Sequence, residues 1–156
     1  EDMEYINKYL SIQRCRFGER FHCEIEMDPA CGSCLVPKLL IQPLIENSIK
    51  YGFRKKMEIC IRIEGHIERG ILCIRVSDDG LGMDEAEAQT LQKRLLTFDN
   101  SARSIGLRNL SRRLYLKYGD RSGLQIRNTP GVGFAVDVRI EQAAQPGTGT
   151  KEGSHV

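Results

Sequence analysis

An alternation of apolar and polar residues between Met57 and Glu64 constrains the fold of this chain more than any other feature. Every second residue in this segment is methionine or isoleucine, and the residues between them are charged except for one cysteine. Because side chains alternate across a strand, the pattern predicts a β-strand with one buried face. The next apolar segment, 71–76, is almost uninterrupted, which is typical of a central strand covered on both faces. The chain therefore builds a sheet that other elements must cover.

The rest of the chain supplies those elements. Apolar residues recur at helical spacing in four segments, which are 1–17, 37–51, 84–98 and 104–118. Strand patterns occupy five segments, which are 21–27, 57–64, 71–76, 124–127 and 134–140. Strands lie before and after the helices instead of alternating strictly with them. We therefore predict an α/β (α+β) two-layer sandwich, with a mixed, largely antiparallel sheet and helices on one face.

Prolines and glycines predict where several elements begin and end. Pro37 is suited to the first position of the second helix, because its missing N–H would be unpaired there. Pro43 lies inside the same helix, and we expect it to kink or loosen the first turns. Gly52 and Gly119 stand where helices commonly end. Residues 129–133, which contain proline and two glycines, predict a hairpin turn between the last two strands.

Composition excludes several classes of protein. The 156 residues suffice for one domain, 40% are hydrophobic and 28% charged, and the net charge of +2 gives no basis for nucleic-acid binding. No apolar run approaches the ~20 residues that cross a bilayer. The six cysteines favour reduced thiols in a cytoplasmic protein. Cys31 and Cys34 have metal-site spacing, but no second ligand pair completes a zinc site, so two loop thiols are the preferred interpretation.

The first of three polar clusters interrupts the apolar face of the second helix. Asn47 shares that face with two preceding leucines and with Tyr51, because the spacings are four, three and four. The amide oxygen of asparagine is a hard ligand that suits Mg²⁺, although an internally satisfied core asparagine is an equally simple explanation. Glu46 and Lys50 lie one turn apart on the adjoining edge, where they could also form an ordinary ion pair.

The second cluster, residues 78–82, follows the central strand. The carboxylate of Asp78 only accepts hydrogen bonds, so it suits the exocyclic amine of adenine and repels the carbonyl oxygen of guanine. Gly80 and Gly82 would let the backbone approach a flat base. The structural alternative is an ordinary tight turn, for which aspartate and glycine are the commonest residues.

The third cluster, Ser104 to Asn109, opens a helix with small residues. Backbone N–H groups at a helix N-terminus bind phosphate, helped by the helix dipole, and Arg108 could add charge-assisted contacts. A plain helix start is the alternative. The three clusters together are far more specific than any one of them, and the chain has neither a Walker A motif nor a Rossmann glycine motif.

This combination resembles the GHKL ATPases (gyrase, Hsp90, histidine kinase, MutL). Segment 42–52 resembles their N box, segment 76–83 their G1 box and segment 104–109 their G2 box. Within the family, the N box is similar to that of LytS/YesM-like bacterial sensor histidine kinases, which is close to Gln-Pro-Leu-Val-Glu-Asn-Ala-Ile-Lys-His-Gly. The resemblance extends from Tyr5 to Ile140. It implies a Bergerat fold that binds Mg²⁺-ATP under a lid of residues 83–103.

The resemblance also implies roles for individual residues. Asn47 would hold Mg²⁺, Asp78 would contact adenine N6, and Glu46 is the family's suggested base or orienting group for the attacking histidine. The implied contacts with the nucleotide come from all three boxes: Asn47, Lys50, Tyr51, Asp78, Gly80, Gly82, Met83, Ser104, Gly106, Leu107 and Arg108. Lys50 belongs with Glu46 and Asn47 to the implied catalytic set.

Five departures from the family pattern affect these expectations. Ser104 stands where many relatives have glycine, and Phe134 stands where threonine is typical, which gives little weight to a site there. Tyr51 replaces the usual histidine, and Asp79 replaces the usual asparagine, which adds charge near the base pocket. Pro43 stands where ATP-hydrolysing relatives carry a glutamate base, which argues against unaided hydrolysis.

The resemblance further implies that a histidine on a separate helical dimerisation segment receives the γ-phosphoryl group. His22 in a strand, His66 in a turn and His155 in the tail have no such context.

The resemblance also implies a division of the chain. Residues 1–18 would end a linker helix, 19–141 would form the catalytic domain, and 142–156 would be a disordered tail. The full protein would be a membrane-anchored homodimer with this domain in the cytoplasm, and a response regulator would act downstream of it. The isolated domain would be monomeric. The alternatives are a nucleotide-binding module or ATP-gated switch without transfer, and an anti-sigma-factor-type serine kinase.

Overall fold

The computed structural model describes residues 3–34, 40–53, 57–96 and 105–142. Within them lie four α-helices, which are α1 (Met3–Phe17), α2 (Ile41–Gly52), α3 (Glu85–Leu96) and α4 (Ile105–Tyr118). Five strands accompany them, which are β1 (Phe21–Met27), β2 (Ile59–Glu68), β3 (Ile71–Asp78), β4 (Gly123–Thr129) and β5 (Gly133–Glu141). Two short 3₁₀ helices follow α1 and β1, at Gly18–Arg20 and Pro29–Ser33.

The strands form one sheet in the order β1-β2-β3-β5-β4. β1 pairs with β2 in parallel, and the other three pairings are antiparallel. The predicted α/β fold with a mixed, largely antiparallel sheet is therefore confirmed. No described helix has both the length and the apolar composition needed to cross a membrane.

A single core lies between the helices and the inner face of the sheet. Ile59, Ile61 and Ile63, at alternate positions of β2, are fully buried, while the residues between them are exposed or half-buried. Each helix adds apolar side chains to this core: Ile6, Leu10, Leu44, Ile45, Leu91, Leu95, Leu107, Leu110 and Leu114. Burial of these side chains removes apolar surface from water and fixes the helices on one face of the sheet.

β2 is longer than the sequence predicted. Gly65 marks the end of the alternating pattern, yet it is buried, and a Cβ there would lie 2.6 Å from the sulfur of Met27. The side chain of Met27 packs directly over this glycine, and the strand continues through it to Glu68. His66, which we expected in a turn, therefore lies in β2 opposite Cys73. The turn itself is formed by Arg69 and Gly70, both with positive φ angles.

Two further expectations are wrong for the described residues. β3 is a central strand, but only its inner face is fully covered, and Arg75 on the outer face is exposed. α2 begins at Ile41, which makes Pro43 its third residue instead of an interior kink. The N–H that proline lacks would have no helical partner in this first turn. The helix ends at Gly52 and Gly119 agree with prediction, with Gly119 at a φ of 94°.

Several predicted features lie outside the described residues. These are Pro37, Ser104, residues 97–103 of the lid segment, which include the end of the third predicted helix, and the tail after Gln142.

Candidate functional site

Asp78, the last residue of β3, is the centre of a hydrogen-bond network where the sheet meets α2. Its Oδ1 accepts from the backbone N–H of Gly80 at 2.9 Å. The hydroxyl of buried Ser48 and the backbone N–H of Phe134 also donate to this carboxylate. Burial raises the pKa of Asp78, and these three hydrogen bonds act against that rise. A carboxylate offers about four acceptor positions, so three neutral donors leave it capacity for one more.

The turn after β3 touches the end of α2 through glycine backbone. A Cβ on Gly80 would lie 2.7 Å from the Cα of Gly52 and 2.8 Å from Oδ1 of Asp78. A Cβ on Gly52 would overlap the side chain of Ile59. The turn can approach α2 this closely because Gly80 lacks a side chain, and Gly52 likewise leaves room for Ile59.

Asn128 of β4 holds the next part of the turn in place. Its Oδ1 accepts from the N–H of Met83 at 2.7 Å, and its Nδ2 donates to the carbonyl of Met83 at 2.9 Å. The N–H of Gly131 donates to the carbonyl of Leu81 at 2.6 Å. Gly82 between them has a φ of 69°, and a Cβ there would lie 2.9 Å from two backbone oxygens. The β4–β5 hairpin thus fixes segment 81–83.

A cleft opens between α2 and this turn. Its lining consists of Asn47, Tyr51, Gly52, Asp78, Gly82, Met83 and Phe134. Five of these were predicted from the sequence to contact a nucleotide, and they come from two boxes that are far apart in the chain. The helix face that carries two buried leucines continues into the cleft as half-buried Asn47 and Tyr51.

The other predicted site residues do not line this cleft. Lys50 is exposed, and its Nζ lies 5.2 Å from the centre of the Tyr51 ring. Gly80 lies behind the cleft against Gly52. At the start of α4, Gly106 is exposed, Arg108 is half-buried and Leu107 is buried in the core. The side chain of Leu107 therefore serves packing, and only its backbone is available for a ligand.

Glu46 lies on the side of α2 that faces α1. Its Oε1 accepts from Nε2 of Gln42 at 2.9 Å, and Oε1 of Gln42 accepts from the hydroxyl of Tyr5 at 2.6 Å. The pKa of nearby Tyr9 is raised to about 12 by burial and by the charge of Glu46. A chain of hydrogen bonds therefore joins α1 to the Glu46 carboxylate.

Asp79 was expected to add charge beside the base pocket. Its carboxylate instead accepts from the backbone N–H of Cys60 in β2 at 2.8 Å. Its charge still contributes to the raised pKa of Asp78. The side chain thus binds the neighbouring strand, and its effect on the cleft is electrostatic.

Sequence reasoning missed Ser48 and Asn128, and it gave little weight to Phe134, which lines the cleft. Asn128 carried a detectable signal, because it is a polar residue at the inward-facing position that follows Leu124 and Ile126 in β4. Phe134 pairs in register with Asp78, which could not be known before the β3–β5 pairing. Ser48 is one small hydroxyl in a helix, and nothing in the sequence distinguishes it.

Comparison with known proteins gives a consistent set of relatives. A family model described as histidine kinase-, DNA gyrase B-, and HSP90-like ATPase matches residues 36–144. The sensor histidine kinase YesM of Bacillus subtilis is 36% identical over 141 residues, which is 90% of this chain and 23% of YesM. The sensor protein LytS of Staphylococcus haemolyticus is 28% identical over 90% of this chain and 24% of LytS. The chain spans about a quarter of the length of these curated relatives.

Solved structures share the fold. The catalytic domain of histidine kinase ThkA has a TM-score of 0.67 at 11% identity, covering 90% of this chain and 92% of that chain. The histidine kinase domain of the Erythrobacter litoralis EL346 blue-light activated kinase has a TM-score of 0.62 at 18% identity, covering 89% and 60%.

Proposed function

The chain belongs to the family of histidine kinase-, DNA gyrase B- and HSP90-like ATPases, and we propose that it binds Mg²⁺-ATP in the cleft beside Asp78. We further propose that it is the catalytic domain of a sensor histidine kinase. In this role it transfers the γ-phosphoryl group to a histidine on a separate helical segment.

The environment of Asp78 carries the proposal. Three neutral donors fix its carboxylate, and the remaining acceptor capacity fits an exocyclic amine. Adenine presents that amine, whereas guanine presents a carbonyl oxygen that a carboxylate repels. Gly82 lines the cleft, and a Cβ there would contact three oxygens of the β4–β5 hairpin, so glycine is required for the hairpin to pack behind it. The residues present therefore fit an adenine base.

When bound, Mg²⁺-ATP supplies the transferable phosphoryl group and a metal that offsets phosphate charge. Half-buried Asn47 in the cleft is the proposed magnesium ligand, through its amide oxygen. Lys50 and Arg108 are the proposed cationic contacts with the phosphates. Backbone N–H groups near Gly106 and Leu107 provide the helix N-terminus that phosphates favour. We place Ser104 with this group from its sequence position.

Glu46 is the proposed residue that orients or deprotonates the attacking histidine. Its hydrogen bond to Gln42 fixes the carboxylate, and Tyr5 extends that contact to α1. A movement of α1 would therefore change the position of Glu46. This arrangement supports the proposal that residues 1–18 end a linker through which an upstream signal reaches the 19–141 domain.

The proposed partners follow from the same role. The kinase would be a membrane-anchored homodimer with this domain in the cytoplasm, and a response regulator would take the phosphoryl group. One solved relative is the kinase ThkA in complex with the response regulator protein TrrA.

The first experiment is calorimetric titration with Mg²⁺-ATP and with Mg²⁺-GTP. ATP should bind and GTP should bind much more weakly. The chain should then be mixed with labelled ATP and a helical segment that carries the phosphoacceptor histidine. Acid-labile phosphate is expected on that segment and not on this chain.

A second candidate is nucleotide binding without transfer. Glu46 lies against Gln42 and does not line the cleft, which favours this alternative. ATP binding without any phosphate on the added segment would support it. Acid-stable phosphate would instead indicate a serine kinase.

Gln42→Ala tests the role of Glu46. If Glu46 acts as proposed, this change should lower phosphoryl transfer several-fold and leave ATP affinity unchanged. Phosphoryl transfer that this change does not affect would contradict the role of Glu46.

A further inference from the structure

The outer face of the sheet, opposite the helices, carries a group of metal-ligating side chains that the nucleotide cleft does not use. His66 and Glu68 are two residues apart in β2, so they share one face. Cys73 of β3 lies directly opposite His66. The ligand atoms of the three residues all lie within 4.8 Å of one another. We propose that His66, Glu68 and Cys73 bind a Zn²⁺ ion.

The distances suit a tetrahedral metal. Zinc bonds of about 2.0–2.3 Å place neighbouring ligand atoms roughly 3.5 Å apart. Nε2 of His66 is 3.6 Å from Oε2 of Glu68, which already matches this spacing. Both side chains are exposed, so they can turn toward the Cys73 sulfur without a change in the backbone. Pairing of β2 with β3 supplies the preorganisation, because cross-strand neighbours on one face are close together.

The set of donor atoms selects the metal. An imidazole nitrogen, a thiolate and one carboxylate suit zinc, whereas Mg²⁺ and Ca²⁺ prefer oxygen ligands. Burial raises the pKa of Cys73, so its thiol keeps the proton at neutral pH. On binding, the sulfur–zinc bond replaces the S–H bond, and the proton passes to solvent. Three protein ligands leave the fourth position to water.

Charged neighbours act in both directions. Arg139 of β5 lies opposite Cys73 and repels a cation, although it also favours the thiolate. Glu26 and Glu64 line the same concave surface and attract a cation. With Glu68 and Asp137, four carboxylates and five arginines line this surface, so its net charge does not attract a cation and the three donor atoms must carry the binding.

A second trio with the same residue types provides a matched control. His22 of β1 lies opposite Cys60 of β2, and Glu24 lies two residues after His22. The Glu24 carboxylate, however, is bound by the guanidinium of Arg62 at 3.1 Å. Among the described residues, only the His66 trio brings three ligand atoms within 4.8 Å. A histidine, a glutamate and a cysteine on neighbouring strands are therefore not sufficient for a metal site. Their ligand atoms must also lie close together, as they do in the His66 trio.

Titration of the chain with Co²⁺, a spectroscopic substitute for zinc, tests the proposal. We expect a near-ultraviolet thiolate-to-cobalt charge-transfer band that Zn²⁺ abolishes by displacement and Mg²⁺ does not. Cys73→Ser should remove the band, and His66→Ala or Glu68→Gln should weaken metal binding at least about tenfold. Zn²⁺ should also raise the melting temperature, because it binds the folded chain.

The control variants keep the outcome decisive. His22→Ala, Cys60→Ser and the double change Cys31→Ser with Cys34→Ser should leave the band unchanged. Absence of the band in the folded wild type overturns the proposal, and so does a band that survives Cys73→Ser. If Cys73→Ser fails to fold, undiminished affinity in His66→Ala overturns it instead. The outcome is independent of the nucleotide site, because none of these residues lines the cleft.

Discussion

Two carboxylates on neighbouring strands show how differently the two faces of the sheet treat the same chemical group. Asp78 on the inner side is held by two backbone N–H groups and a serine hydroxyl, and burial raises its pKa. Asp137 of β5 lies on the outer side between the guanidinium groups of Arg75 and Arg127. Burial also acts to raise the pKa of Asp137, but the hydrogen bonds and charges of the two arginines bring it below the ordinary value.

The difference separates the carboxylate that we propose binds the base from one that serves the structure. Neutral dipoles orient the Asp78 carboxylate without neutralising it, so its charge and part of its acceptor capacity remain for a ligand. Asp137 is neutralised by its own neighbours and ties β3, β5 and β4 together. The inner end of the sheet is therefore prepared for function at some cost in desolvation, while the outer face contributes to stability.

Asp78→Asn gives the largest expected effect. The asparagine amide can place an N–H₂ group where the carboxylate would accept the hydrogen bond from the adenine amine. Affinity for Mg²⁺-ATP should therefore fall about tenfold to a hundredfold. The same group can donate to guanine O6, which should reduce the preference for ATP over GTP. Calorimetric titration with both nucleotides measures this. Asp137→Asn is the matched control, and equal loss of ATP binding in both variants would contradict the assignment of the cleft.

Asn128→Ala should have the next largest effect. It removes two hydrogen bonds to the backbone of Met83, so the free energy of unfolding should fall by about 1–2 kcal/mol. ATP affinity should fall too, since Gly82 and Met83 line the cleft. Urea denaturation measures the first effect. Gln125→Ala, on the exposed face of the same strand, should change stability by less than about 0.5 kcal/mol.

Asp137→Asn should lower stability by a smaller amount, about 1 kcal/mol. The ion pairs are strong in geometry, but the arginine side chains are 44% and 58% exposed, so solvent screens much of the interaction. Chemical denaturation at low and high salt measures this. A loss that is insensitive to salt would show that Asp137 stabilises the sheet by some means other than its charge.

Local motifs predicted the cleft better than they predicted its surroundings. Asn47, Tyr51 and Asp78 follow from short sequence patterns, because helix periodicity and strand ends place such residues without knowledge of the partner. Asn128 could not be placed, since its contact with Met83 spans 45 residues and depends on the sheet order. Periodicity likewise assigns Glu46 to an edge of α2, but only the fold reveals that Gln42 links this edge to Tyr5 of α1.

The strand pattern failed where glycine had a packing role. Gly65 looked like the end of a strand because glycine is common in turns. In the fold it lies beneath Met27, and the strand continues to the turn at Arg69. The central strand β3 showed the opposite error: its apolar run predicted cover on both faces, although Arg75 is exposed. Both errors arise because a single sequence does not record which neighbour fills each position.

A pH titration separates the two carboxylates most directly. Asp78 takes up a proton above the ordinary value of 3.8, so ATP affinity should fall as the pH decreases toward that region, by at most about tenfold per pH unit. Asp137 has a lowered pKa, so its stabilisation is present above 3.8 and is lost only as the pH falls through its lower folded value. Nucleotide binding should therefore weaken at a pH where the outer ion pairs still hold the sheet.

Asp78→Asn is the control for protonation of the nucleotide, because any pH dependence of ATP affinity that remains in this variant cannot come from Asp78. If wild type and Asp78→Asn lose affinity in parallel, the Asp78 carboxylate does not bind the base, whatever the stability of the outer face.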